Sequence, residues 1–516
     1  MSKSSVQLGH LSPKGICLGT PATVETTSRW FSFDNSYARE LEGFYVPWLP
    51  SAVPEPRLIK FNRALAEELG TDPESLLTTH GVEMLVGNVV PQGATPLAQA
   101  YAGHQFGQFS PQLGDGRALL LGEVIDRHGR RRDIALKGSG RTPFSRRGDG
   151  KCALGPALRE YLVGESMAVL GIPTTRTLAV VATGETIRRD RPLPGAVLTR
   201  VAASHLRIGT FEFFAAHTGP DAVRQLADYA IARHYPDVAH QEQPYLALLD
   251  AVAARQADLV ARWLSIGFIH GVMNTDNMAI SGETIDYGPC AFMESYDPNT
   301  AFSSIDTGGR YAYGQQADIA KWNLSRFAGT LLPLIDSDRK RAIAAATEIV
   351  DAFPGRHAAC WLDVMRDKLG LDHTVAAARD DRILAEDFLK LLLEGRMDFT
   401  QGFRALCDAS EGSERAFDRF DEMPELAAWQ ERWRARQPGR SAMQLAAMKR
   451  ANPCYIPRNH LVEAALDAAV DRGDLAPFDR LLAVLEQPFD ARPEDANYAE
   501  PASPAITACY QTFCGT

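Results

Sequence analysis

The sequence has no run of about 18 uninterrupted apolar residues. Its most apolar long helical candidate, from Tyr245 to Val272, is broken by Asp250, Arg255, Asp258 and Arg262, so no transmembrane span and no membrane partner are expected. Cysteine is scarce, at eight in 516 residues, and no C-x-x-C pair has zinc-ligand spacing, which argues against a disulfide framework or a zinc module. Positive charge is also short: 54 Lys and Arg against 64 Asp and Glu give a net charge of -10, and a nucleic-acid partner is not expected from such a balance. The first residues place Lys3 and Lys14 among scattered Ser and Thr, without the continuous apolar core of a secretory leader. The expectation is a cytoplasmic protein, monomeric by default.

What is present is ample core material, with 45% hydrophobic and 23% charged residues, enough for two to four structural units at roughly 100–200 residues each. Residues 1–100 show no dominant period and read as an irregular N-terminal extension. From Ala118 to Ile125, and again up to Lys137, apolar runs flank the polar turn D-R-H-G-R, a β-hairpin signature. A helix is expected from about Gly155 to Leu170, closed by Gly171 and Pro173, followed by strands at Leu178–Ile187 and Ala196–Val201. Beyond Gly209 the period turns helical, at Asp221–His234, Tyr245–Ile266, Arg339–Phe353, Ala385–Leu393 and Leu461–Val470. One β-rich interruption, Met278–Gly288, reads as a short hairpin. The fold class is α+β, a small antiparallel sheet with a larger helical part.

The usual phosphate-loop templates fail. Gly150-Lys151 is followed by Cys152, so G-x-x-x-x-G-K-[ST] is broken. Gly138-Ser139-Gly140 and Gly148-Asp149-Gly150 lack the third glycine of the dinucleotide fingerprint.

Another layout fits. Along the chain come Gly114-Asp115-Gly116-Arg117 before a strand, Lys137 at the end of the paired strand and Glu160 in the next helix. Far downstream follow H-G-V-M-N-T-D-N at His270–Asn277 and D-Y-G at Asp286–Gly288. This is the order of a protein kinase. A strand lysine can hold phosphate oxygens while a helix glutamate fixes its ammonium. Asn277 and Asp286 can offer hard oxygen ligands to magnesium beside ATP phosphates. Each piece alone is commonly a surface turn or a weak surface pair; the joint occurrence in order carries the argument.

Two departures follow. Val272 stands where a kinase keeps its catalytic Asp, and Asp276, just before Asn277, is the only carboxylate of that loop able to serve as a relocated base. The loop Lys137–Lys151 also packs Arg141, Arg146, Arg147 and Lys151 among four glycines, with Arg200 and Arg207 farther on. In an acidic protein this is either a solvated basic surface or a polyphosphate cradle. A deep cradle would grip the terminal phosphates, leaving the α-phosphate as electrophile and pyrophosphate as leaving group.

At these residues the chain resembles selenoprotein O and its bacterial relatives, pseudokinase-like protein adenylyltransferases. The resemblance rests on Y-A-G-H-Q-F-G-Q-F (Tyr101–Phe109), Q-L-G-D-G-R (Gln112–Arg117), L-K-G-S-G-R-T-P-F-S-R-R-G-D-G (Leu136–Gly150), L-R-E-Y-L (Leu158–Leu162) and the two downstream blocks, and spans the chain from about Phe31. It implies a kinase-like bilobal fold, with an N-terminal extension (1–100), an N-lobe (101–208), a C-lobe (209–335) and a helical C-terminal region (336–516). It implies ATP bound in a flipped orientation and AMP transfer to Ser, Thr or Tyr hydroxyls of proteins, with self-modification and uridylyl transfer as side activities. Carried over by motif, Gly114, Gly116, Arg117, Lys137, Asp149, Gly150, Arg200 and Arg207 would contact the nucleotide, with Glu160 pairing Lys137. Asn277 and Asp286 would hold magnesium or manganese, and Asp276 would accept the proton. The alternatives are an atypical kinase transferring the γ-phosphate and an inactive ATP-binding scaffold. Relatives carry selenocysteine, or Cys followed by two Ser, near the C-terminus. Here Cys514-Gly515-Thr516 keeps only the Cys, and a redox role for Cys514, with Cys509 or Cys290 as partner, is an expectation of the same resemblance.

Overall fold

In the computed structural model, which describes residues 23–24, 30–418, 420, 423–437 and 441–513, eight strands form one antiparallel sheet. They are β1 (Tyr45–Pro47), β2 (Arg57–Phe61), β3 (Leu97–Gln99), β4 (Ala118–Ile125), β5 (Arg131–Lys137), β6 (Cys152–Ala153), β7 (Arg176–Arg188) and β8 (Pro192–Ala202). The order is β1-β3-β4-β5-β8-β7-β2, with β6 paired to β8. The expected hairpin is β4 and β5, paired from Ala118↔Lys137 to Ile125↔Arg131 with a one-residue register shift between Leu120 and Gly122. The segment before residue 100 is less irregular than its sequence suggests, since β1, β2 and β3 all come from it. These strands are three to five residues long, too short to show a period by themselves.

Alternation of side chains across the pleat gives the sheet two apolar faces. Leu119, Leu121, Ile134, Leu136, Val181 and Val197 face the short helices Arg63–Glu68 and Thr79–Val86. Val180, Ala196 and Leu198, one residue out of step, meet helix α1 (Leu154–Val169) through Leu158, Tyr161 and Leu162. On the same side, Val462, Leu466, Phe478 and Leu481 of two C-terminal helices complete the cover. A sheet so nearly apolar on both faces requires helices on both; α1, inserted between β6 and β7, supplies part of the cover and helices from the N- and C-terminal parts of the chain supply the rest.

The helical part begins with α2 (Ile208–His217), α3 (Pro220–His234), α4 (Pro244–Ser265), α5 (Gln316–Ile335) and α6 (Arg339–Leu369), around the largest apolar core. The period suggested that α6 stops at Phe353, before Pro354, yet it runs on to Leu369. Phe353, Leu362, Met365 and Leu369 are all buried, and their packing outweighs the hydrogen bond lost at the proline. Asp338 caps its start through Lys340 N and Arg341 N, and Gly370 ends it at φ 66°. The expected hairpin at Met278–Gly288 does not form. Ala279 bridges to Arg207 and Thr284 to Thr174, so each half pairs with a different part of the molecule. No helix among the described residues is long and apolar enough to cross a membrane.

Cys152, Cys290, Cys407 and Cys454 are buried and unpaired, and Cys509 is exposed. Cys514 lies outside the described residues. The tail that precedes it packs back onto the D-Y-G segment, where Thr512 Oγ1 donates to Pro289 O at 2.7 Å.

Candidate active site

β5 pairs with β8 so that Leu198 stands opposite Lys137 and Arg200 opposite Ala135. Residues two apart on a strand share a face, so Lys137 and Arg200 are diagonal neighbours on the α1 side. There they meet Glu160. Lys137 Nζ lies 2.5 Å from Glu160 Oε2, and Arg200 Nε donates to Glu160 Oε1 at 2.6 Å. All three are buried. Burial by itself would raise the Glu160 carboxyl; Arg200 and Lys137 outweigh it and hold the group below its ordinary value.

Lys137 also reaches Asp286 Oδ1, 2.9 Å away. Asp286 has φ 68°, uncommon for a non-glycine residue. Burial again acts upward on its carboxyl, but Lys137, Arg117 and Arg200 hold it far below the usual range, fully ionised. The segment before it is anchored by Thr284 N to Pro173 O at 2.9 Å, and the buried His270 ring contacts Ile285 O at 3.0 Å.

The loop His270–Asn277 ends in a 3-10 turn, Thr275–Asn277, closed by Asn277 N to Asn274 O at 2.9 Å. Thr275 Oγ1 donates to Glu212 of α2 at 2.5 Å, and Arg207 Nη1 donates to Asp276 O at 3.1 Å. The Arg207 guanidinium also stacks on Tyr101, 4.3 Å from the ring centre. Asp276 is 8% exposed, and its Oδ1 has no hydrogen-bond partner among the described residues. Burial pushes its carboxyl up to about 7, with Arg207 opposing and Asp286 adding. Asn277 commits its Nδ2 to Val272 O at 3.0 Å, which leaves the amide oxygen to face a ligand.

These groups surround one cavity of about 470 Å³. Gly114, Gly116, Arg117, Lys137, Asp149, Gly150, Arg200, Arg207, Asp276, Asn277 and Asp286 all line it, and so does Val272. Glu160 stands behind Lys137 and Arg200 rather than on the wall. Arg146 and Lys151 of the basic loop line it as well; Arg141 and Arg147 are exposed and do not. Gly114 and Gly150 have positive φ, and a Cβ on Gly114 would run into the Phe144 ring, so glycine is required where the loop folds over. Arg189, which the motifs do not single out, also lines the wall and holds Asp149 at 2.8 Å. Its position in the turn between two strands carries no local signal. Gln105, Phe106 and Ile305 reach the cavity too; the block at Tyr101–Phe109 pointed to the first two, and no motif pointed to Ile305.

The wall is therefore strongly cationic, with an ionised carboxylate and an amide oxygen on one side and a second carboxylate beside them. It suits a polyphosphate with a divalent cation. Residues 29–486 match the sequence profile of the family described as protein adenylyltransferase SelO. The chain belongs to the SelO family of protein adenylyltransferases. SelO relatives cover nearly its whole length. It is 60% identical over 489 residues to the protein nucleotidyltransferase YdiU of Cereibacter sphaeroides ATCC 17023, covering 94% of this chain and all of that protein. It is 57% identical to the YdiU of Rhodopseudomonas palustris BisB5 over 494 residues, and 56% to that of Methylorubrum populi over 499, each covering 94% of this chain and 99% of the relative. As a SelO protein the chain is a protein adenylyltransferase, with ATP as substrate and proteins as acceptors.

Proposed function

We propose that the cavity binds ATP with its triphosphate against Lys137, Arg200, Arg207 and the Gly148–Lys151 loop. Asp276 then accepts the proton of an acceptor Ser, Thr or Tyr hydroxyl as its oxygen bonds to the α-phosphorus and the bond to pyrophosphate breaks. Gly114, Gly116, Arg117, Asp149 and Gly150 shape the nucleotide side, and Glu160 fixes Lys137. The observation that carries the reading is the carboxylate of Asp276, buried with one oxygen unpartnered on a cationic cavity wall, where Val272 replaces the kinase base.

Asn277 and Asp286 fit a hard divalent cation, Mg2+ or Mn2+, because they present an amide oxygen and an ionised carboxylate on the same wall. Such an ion takes few protein ligands and completes its shell with phosphate and water; when bound, it would neutralise charge on the phosphates. The reading extends to a kinase-like bilobal arrangement, residues 101–208 and 209–335, carrying the extensions 1–100 and 336–516. It also extends to self-modification and to uridylyl transfer from UTP in the same cradle.

ATP labelled at the α or the γ position, incubated with enzyme and a mixed protein substrate, tests it. Protein labelled from α-labelled ATP alone is expected. Protein labelled only from γ-labelled ATP would replace this reading by phosphoryl transfer.

A further inference from the structure

The strands Gly103–Gln105 and Gln108–Ser110 form a hairpin on the Asp276 side of the cavity. It is fitted to the catalytic turn. A Cβ on Gly103 would sit 2.9 Å from Asp276 Cγ, His104 N donates to Thr275 Oγ1 at 2.7 Å, and Phe106 N donates to Asn274 Oδ1 at 3.1 Å. The outer side of the hairpin is not closed over. Phe109 is 42% exposed there, and Ile305, on the cavity rim, is 56% exposed.

Behind the hairpin stands Trp322 of α5, its ring 5.3 Å from that of His104, which in turn lies 4.9 Å from Phe109. Two guanidinium groups stack on Trp322, Arg310 at 4.9 Å and Arg326 at 5.0 Å from the ring centre. Among the described residues neither arginine pairs with a carboxylate, and Arg310 Nε is buried without a hydrogen-bond partner. This is unusual in a chain where acids outnumber bases by 64 to 54. A partly exposed tryptophan between arginines, joined through His104 to an exposed phenylalanine, has the composition of a protein-binding hot spot. Its charge is complementary to an acidic partner.

We propose that the hairpin Gly103–Ser110 with Trp322, Arg310 and Arg326 is the docking surface for the acceptor protein, and that it selects hydroxyls accompanied by acidic side chains. The proposal rests on the AMP-transfer reading and names the acceptor class for that site. The hairpin brings the acceptor chain past Asp276, its apolar side chains lie on Phe109 and Ile305, and its carboxylates pair with the two arginines.

The test uses the full-length enzyme, α-labelled ATP and two synthetic peptides with the same hydroxyl residue, one flanked by Asp and the other by Lys. The wild type is expected to show kcat/KM about tenfold higher for the acidic peptide, corresponding to about 1.4 kcal/mol, with the difference mainly in KM. Arg310→Glu should reverse the preference. Arg326→Glu, on an exposed side chain, should weaken it in the same direction and serves if the first variant fails to fold. ATP affinity is titrated for each enzyme. An equal kcat/KM for both peptides in the wild type, or a preference unchanged in the folded variants, overturns the docking proposal while leaving AMP transfer standing. Absence of AMP transfer to any protein would instead overturn the reading beneath it.

Discussion

Lys137 Nζ lies 2.9 Å from Asp286 Oδ1, so the strand lysine and the D-Y-G carboxylate form an ion pair before any other partner is considered. Glu160 holds the other side of the same ammonium at 2.5 Å, so two carboxylates share Lys137, while Arg200 supplies the second cation of the cluster on Glu160. Replacing Lys137 by Met would leave both without it. Breaking a buried pair in this way costs about 3–5 kcal/mol, and a fall in thermal stability is expected together with loss of AMP transfer. The double variant Lys137→Met/Asp286→Asn should recover part of the lost stability, because it removes the carboxylate that loses Lys137, whereas Glu160 keeps Arg200. Thermal denaturation of the three proteins checks this; a double variant less stable than Lys137→Met alone would contradict the shared-cation account.

Asp286→Ala is expected to remove the dependence of AMP transfer on divalent cation, along with at least about 100-fold of its rate, the low end of what a preorganised electrostatic group supplies. Rates measured across a Mg2+ titration decide it. A variant that keeps the wild-type metal dependence would move the metal site elsewhere.

Acid sensitivity should come in part from His234 of α3. Its ring contacts Ser204 Oγ at 2.7 Å; burial, with Arg233 and Arg255 adding and Asp133 opposing, lowers it from 6.5 to about 3. Between those values the unfolded chain binds a proton at this residue that the folded chain does not. The stability it contributes is thus fully present above about pH 6.5 and is lost as the pH falls towards 3, at up to about 1.4 kcal/mol per pH unit. Urea denaturation at pH 7, 6 and 5 should show the wild type losing stability faster than His234→Asn. Parallel losses would exclude His234 as a source.

Much of this was legible because the chemistry is local. The hairpin ending at Lys137 and the helix carrying Glu160 each announce themselves by period and turn residues, and spacing alone lines up Asn277 and Asp286. What spacing cannot supply is the pairing of distant segments. Arg189 meets Asp149 only because β7 and β8 turn back over the basic loop. β1, β2 and β3 are too short to read without the sheet that receives them. The Met278–Gly288 segment has the composition of a hairpin, but its edges pair with Arg207 and Thr174 instead, a tertiary preference invisible to a local pattern. Pro354 misleads for the same reason, since buried packing carries α6 through it.

In the proposed mechanism Asp276, with an unpartnered oxygen on the cationic wall, does the work that Val272 cannot. Asp276→Asn keeps the size and the backbone bond to Arg207 but removes the proton acceptor. The direct measurement is incorporation of label from α-labelled ATP into protein by this variant, with ATP affinity titrated alongside. Near-complete loss of incorporation with ATP affinity retained is predicted. Incorporation at the wild-type rate would contradict the account.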